Sequence, residues 1–199
     1  MQEIITQKKD LRQKYLKIRK NIPDTLRSEK NFEIFKKLLS VSAYNNCSSL
    51  LTYVSYKDEA ETEKIILSAL DAGKTVAVPL SDPVSCKMTF YKISSLGDLK
   101  PGYMGIPEPD AGICEPFLPD KSSVCITPGV VFDKNGFRIG YGKGFYDRFL
   151  ENFCGISIGL TFSECLCDVI PNNNYDRSVD IVVTDKSIFT PSIKRKGVF

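Results

Sequence analysis

Amphipathic helices are predicted where apolar residues recur about every 3.6 positions. Helical segments are predicted over residues 6–21, 24–39, 61–72 and 146–153. In the first segment the apolar stripe consists of Leu11, Tyr15, Ile18 and Ile22. In the second it consists of Phe32, Phe35, Leu38 and Leu39, and in the third of Ile65, Ile66, Ala69 and Leu70. Pro23 and Gly73 follow the first and third segments, where these residue types end helices.

Short apolar runs predict strands between these helices, over residues 49–55, 75–79, 88–93, 124–127, 155–161 and 180–183. The later runs are continuous rather than alternating, which is typical of strands buried on both faces of a parallel sheet. Strands alternating with helices predict an α/β fold, a three-layer α/β/α single domain over residues 1–199 with a mainly parallel sheet. Residues 97–120 are rich in Gly and Pro, and we expect a long ordered loop there.

The predicted sheet also indicates where a ligand would bind. In sheets of this kind ligands gather at the carboxyl ends of the strands. The loops after Val54, Thr127 and Val183 are therefore the favoured positions for a site.

Composition places the chain among ordinary globular proteins, with 42% hydrophobic and 26% charged residues in 199. Its 27 Lys and Arg against 24 Asp and Glu give a net charge of +3, too small to indicate nucleic-acid binding through bulk charge. The sequence has neither a signal peptide nor an apolar run of about 18 residues. We expect a cytoplasmic protein with no membrane partner.

The residue types available for chemistry are restricted, because the chain has no histidine. Catalytic triads, Cys-His pairs and histidine metal ligands are excluded. The seven cysteines are an odd number without a C-x-x-C motif, so we expect reduced thiols rather than a disulfide framework or a zinc site. An enzyme with this composition works with carboxylates, Lys, Arg, Tyr, backbone groups and metal.

The most informative segment is 136–150, which reads GFRIGYGKGFYDRFL. Gly140, Gly142 and Gly144 allow positive φ angles and close approach of the backbone to a ligand. A glycine-rich loop that leads into a helix N-terminus is an anion site, because free N–H groups and the helix dipole favour negative charge. Alternating glycines also occur in turns that bind nothing, so the spacing alone is weak evidence.

The side chains around these glycines make the segment more specific. Arg138 and Lys143 add positive charge, and Phe145, Tyr146 and Asp147 follow directly. Asp147 repels phosphate and is instead a candidate ligand for the magnesium that accompanies a nucleotide. The segment matches neither the Rossmann fingerprint nor the Walker A loop, so a different kind of nucleotide loop is indicated.

Further candidates lie in four other segments. Lys8 and Arg12 are i, i+4 neighbours on a basic helix, whose other basic residues we interpret as a solvated face. Glu59 follows the first strand and is suited to hydrogen bond a polar heterocycle, and residues 101–109 are suited to wall a flat ligand. Asp176 and Asp180 are typical turn and cap residues, and either is a candidate to join Asp147 as a metal ligand.

Over nearly its whole length the chain resembles the 5-formyltetrahydrofolate cyclo-ligase family. The resemblance rests on the segments 8–12, 58–63, 105–109, 128–133 and 180–184 and on the glycine loop, in the order typical of the family. The most specific element is the loop with Phe132-Asp133 eight residues before Tyr141.

The resemblance implies a reaction and a set of site residues. ATP and 5-formyltetrahydrofolate would give 5,10-methenyltetrahydrofolate, ADP and phosphate, with Mg²⁺ as cofactor, in a monomer without a nucleic-acid partner. The implied ATP-binding residues are Lys8, Lys9, Asp10, Leu11, Arg12, Arg138, Ile139, Gly140, Tyr141, Gly142, Lys143, Gly144, Phe145 and Tyr146. Among them, the implied catalytic charges are Lys8, Arg12, Arg138 and Lys143. The implied folate pocket consists of Val54, Glu59, Met104 and Tyr141, with Glu59 on the pterin, and the implied metal ligands are Asp147 and Asp180.

Two hypotheses from other classes remain open on the sequence. The chain is suited to be a catalytically silent module that binds a nucleotide or folate. Its basic first helix is also suited to contact RNA, although no RNA-binding motif accompanies it.

Overall fold

The computed structural model describes residues 2–102 and 105–192. The helices are α1 (Gln2–Lys20), α2 (Asp24–Leu39), α3 (Ser42–Asn46), α4 (Glu63–Asp71) and α5 (Phe145–Asn152). Pro23 is the N-cap of α2 and its carbonyl accepts from the N–H of Arg27 at 2.8 Å, which separates α2 from α1. Gly73 follows α4 with a φ of 73°, the left-handed conformation that commonly closes a helix. Four of these helices confirm the predicted segments, while the five-residue α3 shows no sequence period.

Within the described residues, the main sheet consists of β1 (Ser49–Thr52), β2 (Thr75–Asp82), β3 (Lys87–Ile93), β6 (Pro116–Phe117), β7 (Ser123–Thr127), β10 (Ile156–Leu160), β12 (Ile181–Val183) and β13 (Ile188–Phe189). These eight strands lie in the order β13-β12-β10-β7-β1-β2-β3-β6. The five strands from β12 to β2 are parallel, and β13, β3 and β6 add antiparallel edges. The mainly parallel sheet that the sequence predicts is confirmed.

The chain reverses its direction of growth across the sheet between β1 and β7. From β1 it continues to β2 on one side, and it later returns to β7 on the other side. A crevice opens at such a switch point, outside the carboxyl ends of the two strands. By this rule the loops after Thr52 and Thr127 are expected to form the two sides of the crevice.

Helices cover both faces of the main sheet and bury its apolar side chains. On one face Leu50 packs with Leu38 of α2 and Ile66 of α4. On the other face Leu51 packs with Leu150 of α5. Leu50 and Leu51 are fully buried, and each contributes about 1.5–3 kcal/mol by leaving water.

Helix α1 packs on a smaller sheet instead of the main one. This sheet has the order β11-β8-β9 and consists of β8 (Val131–Asp133), β9 (Arg138–Ile139) and β11 (Leu166–Cys167). Tyr15 of α1 is buried against Val131 and Ile139, with Leu11 and Ile18 beside them. Helix α1 therefore lies next to the segment that leads into the glycine loop.

The structure corrects two sequence predictions. Residues 97–120 contain β4 (Leu99–Pro101) paired with β5 (Pro107–Pro109), and β6, which extends the main sheet. On α2, Phe32 and Leu39 are 50% and 40% exposed, whereas Leu38 is buried as predicted and Ile34, outside the predicted stripe, is buried as well. An apolar side chain next to the buried face meets the periodicity rule without reaching the core. None of the described helices is long and apolar enough to cross a membrane.

Candidate active site

The glycine loop connects β9 to α5; the sequence predicts the helix after the loop but not the two-residue strand before it. Gly142 has a φ of 100° and Gly144 a φ of 66°, a left-handed conformation that side chains other than glycine rarely adopt. Gly144 is the N-cap of α5 and provides no side-chain cap. The first N–H groups of a helix have no intrahelical acceptor, so those of α5 stay available to an anion.

Two basic residues of α1 reach this region. Arg12 Nε donates to the carbonyl oxygen of Gly140 at 2.7 Å. One turn earlier, Lys8 Nζ lies 2.5 and 2.6 Å from the two carboxylate oxygens of Asp176. Lys8, Arg12 and the loop are thus brought together, although the loop begins 128 residues after Arg12.

A second ion pair lies at the start of α5. Arg138 Nη2 is 3.3 Å from Asp147 Oδ1, and Arg138 Nη1 donates to the carbonyl oxygen of Arg177 at 2.8 Å. Asp147 Oδ1 also accepts from the N–H of Arg177 at 3.1 Å. Asp147 therefore lies in the first turn of the helix, as predicted, and contacts the residue that follows Asp176.

The two candidates for the second metal ligand occupy different places. Asp176 pairs with Lys8 and lies one residue from the Arg177 N–H that Asp147 accepts. Asp180 Oδ2 instead accepts from the N–H and the hydroxyl of Ser157 at 2.8 and 2.6 Å, at the start of β10. The contacts bring Asp147 together with Asp176, whereas Asp180 joins the beginnings of two parallel strands. No cluster of three or more potential metal-binding side chains occurs among the described residues.

The predicted folate residues lie beside the loop after β1. Glu59 Oε2 accepts from the N–H of Tyr56 at 3.1 Å, and burial raises the pKa of Glu59. Val54 packs on the apolar core beneath this loop. Tyr141 interacts with Glu59 and has 59% of its surface exposed. Met104 lies outside the described residues.

A polar cleft opens between this loop and the start of α2. Its lining residues are Asp24, Arg27, Ser28, Asn31, Ser55, Lys57, Glu59 and Glu61. Lys57 has a φ of 55°, an uncommon conformation for a residue with a side chain, and strain of this kind clusters at functional sites. Glu59 thus faces a cleft with charged groups of both signs.

The remaining predicted ATP residues differ in what their side chains contact. Lys9, Asp10 and Lys143 are exposed, whereas Leu11 and Ile139 pack in the core of the small sheet. Phe145 begins α5 and is half-buried. The hydroxyl of Tyr146 is buried without a hydrogen-bond partner in the described part of the chain, and its ring lies 5.8 Å from the Arg138 guanidinium carbon.

The structure adds Arg19, one of the basic residues of α1 that the sequence predicts to form a solvated face. Its side chain is only 2% exposed. It follows Tyr15 by four residues and Arg12 by seven, the spacing of one helix face. The spacing could have identified Arg19 as a buried residue from the sequence, because Arg19 lies on the same helix face as the buried Tyr15.

Comparison with known proteins agrees with these features. A profile of the 5-formyltetrahydrofolate cyclo-ligase family matches residues 4–185. The chain is 29% identical to the mouse (Mus musculus) 5-formyltetrahydrofolate cyclo-ligase over 76% of this chain and 80% of the relative. It is 31% identical to the Saccharomyces cerevisiae enzyme of that name over 72% of this chain and 79% of the relative.

A solved structure shares this fold over nearly all of the chain. The Aquifex aeolicus 5,10-methenyltetrahydrofolate synthetase superimposes with a TM-score of 0.81 at 28% identity, over 95% of each chain. Together with the family profile over residues 4–185, this similarity shows that the chain belongs to the 5-formyltetrahydrofolate cyclo-ligase family.

Proposed function

We propose that this protein converts 5-formyltetrahydrofolate to 5,10-methenyltetrahydrofolate with ATP and Mg²⁺, releasing ADP and phosphate. The observation that supports this best is the position of Tyr141. It lies in the glycine loop that leads into the N-terminus of α5, and its phenol interacts with Glu59 beside the polar cleft. One residue therefore borders both an anion site and a pocket for a polar heterocycle.

The contacts around the two aspartates fit a magnesium nucleotide. Asp147 and Asp176 supply carboxylate oxygens, and Mg²⁺ is usually held by one or two carboxylates together with substrate phosphates. Each carboxylate is paired with a cation, Asp147 with Arg138 and Asp176 with Lys8. When Mg-ATP binds, we expect the metal to take over the carboxylates and the phosphates to take over the two basic side chains. The metal would screen charge that builds up on the phosphates.

The chemistry asks for alignment and charge stabilisation more than for proton transfer. The formyl oxygen attacks the γ-phosphorus of ATP, and the bond to the bridging oxygen breaks with its electron pair leaving on ADP. A neighbouring amine nitrogen of the folate then attacks the activated carbon and loses its proton to solvent, and phosphate leaves with the former formyl oxygen. Phosphoryl transfer of this type depends mainly on positioning and electrostatics. A site without histidine, with Lys8, Arg12 and Arg138 around the loop, meets that requirement.

The test is turnover. Purified protein is mixed with Mg-ATP and 5-formyltetrahydrofolate, and the methenyl product is followed by its absorbance. Product above a heat-treated control is the expected result. ATP binding without product would instead support a silent binding module, and RNA binding without product would support the RNA hypothesis.

A pair of variants on α1 sharpens this test. Lys8→Met removes the partner of Asp176, and we expect the KM for ATP to rise at least about tenfold because a charged contact to phosphate is lost. Lys17→Met, on an exposed position of the same helix, is the matched control and should leave both KM values unchanged. Equal effects of the two substitutions would contradict the assignment of Lys8 to the nucleotide.

A further inference from the structure

The guanidinium group of Arg19 lies at the meeting point of four chain segments. It extends from α1 and contacts the loop after β1, the segment after β7 and the glycine loop. Nε is 3.2 Å and Nη2 3.3 Å from the two carboxylate oxygens of Asp58. Nη1 donates to the carbonyl oxygen of Gly129 at 3.3 Å, and Nη2 donates to the hydroxyl oxygen of Tyr141 at 2.7 Å. All three guanidinium nitrogens therefore have hydrogen-bond partners.

These contacts join the two sides of the crevice at the switch point. Asp58 follows β1 and Gly129 follows β7, the two strands between which the sheet changes direction. Only a planar fork with donors on three nitrogens can reach Asp58, Gly129 and Tyr141 at once, whereas the compact ammonium of lysine cannot. The arginine thus fixes the glycine loop relative to both sides of the crevice.

Tyr141 is the partner whose freedom this contact limits most. It stands between Gly140 and Gly142, so the backbone around it has little intrinsic preference for one conformation. Its surface is 59% exposed, yet its hydroxyl makes the shortest of the Arg19 contacts, at 2.7 Å. An exposed aromatic ring with an anchored hydroxyl is a rigid surface on which a flat ligand can lie.

We propose that Arg19 is a positioning residue that holds Tyr141, through its hydroxyl, as a fixed wall of the folate-binding cleft. This inference rests on the proposed function for the identity of the ligand. The competing interpretation is that Arg19 only neutralises Asp58 inside the fold. The two interpretations differ in what removal of the Tyr141 hydroxyl does, because that change leaves the Arg19–Asp58 ion pair intact.

The kinetic test uses Tyr141→Phe, Arg19→Lys and the double variant, with Tyr91→Phe on β3 as the control. Tyr141→Phe keeps the ring and should raise the KM for 5-formyltetrahydrofolate about tenfold, the loss expected for a hydrogen bond to a charged group, while the KM for ATP stays within about twofold. Arg19→Lys should have a similar effect, and the double variant should be no worse than either single variant. The control should match the wild type.

Several results would overturn the proposal. One is a double variant in which the two tenfold effects multiply, because the residues would then act separately. Another is a rise in the KM for ATP with an unchanged KM for folate. If Arg19→Lys does not fold, Tyr141→Phe alone decides, and an unchanged KM for folate in that variant removes the positioning role.

A measurement without substrate separates this inference from the proposed function. Burial and Glu59 raise the pKa of the Tyr141 phenol, and Arg19 acts in the opposite direction. Subtracting the ultraviolet titration of each Tyr141→Phe variant from that of its parent isolates this phenol from the other tyrosines. Arg19→Lys should move the phenol titration to higher pH. If the phenol titration does not shift, the Arg19–Tyr141 contact is refuted, whether or not the protein turns over its substrates. Absence of turnover alone would refute only the proposed function.

Discussion

The buried ion pair between Lys30 and Asp185 gives a stability prediction that can be worked out from the structure. Lys30, on α2, places Nζ 2.7 Å from Asp185 Oδ2, and the two side chains are 7% and 6% exposed. Asp185 also accepts from the N–H and the hydroxyl of Ser163 at 2.6 and 3.0 Å. The pair fixes α2, which forms one side of the polar cleft, to the segment after β12.

The substitution Lys30→Met leaves the Asp185 carboxylate buried without a cation. Breaking a buried pair in this way costs about 3–5 kcal/mol. The two donors of Ser163 remain, so we expect the lower end, about 3 kcal/mol, which corresponds to a fall in Tm of about 6–12 °C for a chain of this size. Glu164, which also contacts Lys30, is 37% exposed and returns to water at little cost.

The matched control is Lys36→Met on the same helix. Lys36 Nζ is 3.0 Å from Glu33 Oε1, but the side chains are 55% and 41% exposed. Such a pair contributes about 0.5 kcal/mol or less. Urea unfolding followed by circular dichroism gives both values, provided that the m-value is unchanged. A Lys30→Met variant within about 0.5 kcal/mol of the control would refute the reasoning.

The pH dependence of this pair has a definite sign. Burial alone would raise the pKa of Asp185, but the hydrogen bonds from Lys30 and Ser163 outweigh it and lower the pKa. A carboxylate with a lowered pKa in the folded state stabilises the fold above its ordinary range, and this contribution is lost as the pH falls through the folded-state pKa. Acid should therefore narrow the difference in stability between wild type and Lys30→Met.

Three further outcomes are expected. Asp133→Ala removes a buried carboxylate that accepts from the N–H groups of three residues, so urea unfolding should show a loss of about 3 kcal/mol, and a loss below about 1 kcal/mol would contradict this role. Burial raises the pKa of Glu59, so as the pH is lowered kcat/KM for 5-formyltetrahydrofolate should begin to fall at a higher pH than the pKa of an exposed glutamate would give. Glu59→Gln should lack this fall, and a pH profile unchanged by the substitution would count against the proposed contact of Glu59 with the pterin. Asp147→Asn should raise the Mg²⁺ concentration needed for turnover about tenfold. Asp180→Asn should leave that concentration unchanged and lower stability through loss of the Ser157 contacts, and the reverse result would indicate Asp180 as the metal ligand.

The sequence is sufficient to predict the helices whose hydrophobic periodicity extends over many residues. Helix α2 begins and ends at the predicted residues, and α5 follows the glycine loop as expected. The strands inside residues 97–120 are two or three residues long, too short for any period to be visible, and partners distant along the chain determine them. The position of a strong motif is thus predictable where that of a short edge strand is not.

The candidate site divides in the same way. The glycines and Asp147 are predictable because local geometry restricts their residue types. Asp176 and Asp180 are equivalent in the sequence, and only the pairing of β10 with β12 shows that Asp180 serves Ser157. Arg19 looks like one more surface charge until its helix face is compared with that of Tyr15.

The contacts of α1 have a consequence for how the protein is made. Lys8 and Arg12 bind partners 168 and 128 residues later in the chain, and Tyr15 packs on strands that follow residue 130. A ribosome produces this helix first, yet apart from the Arg19–Asp58 pair these partners emerge only after residue 128. Because non-local contacts form only after the entropy of closing long loops has been overcome, α1 should dock late in folding. Enzymatic activity would then report on completion of the whole fold, since only docked α1 brings Lys8 and Arg12 to Asp176 and the glycine loop.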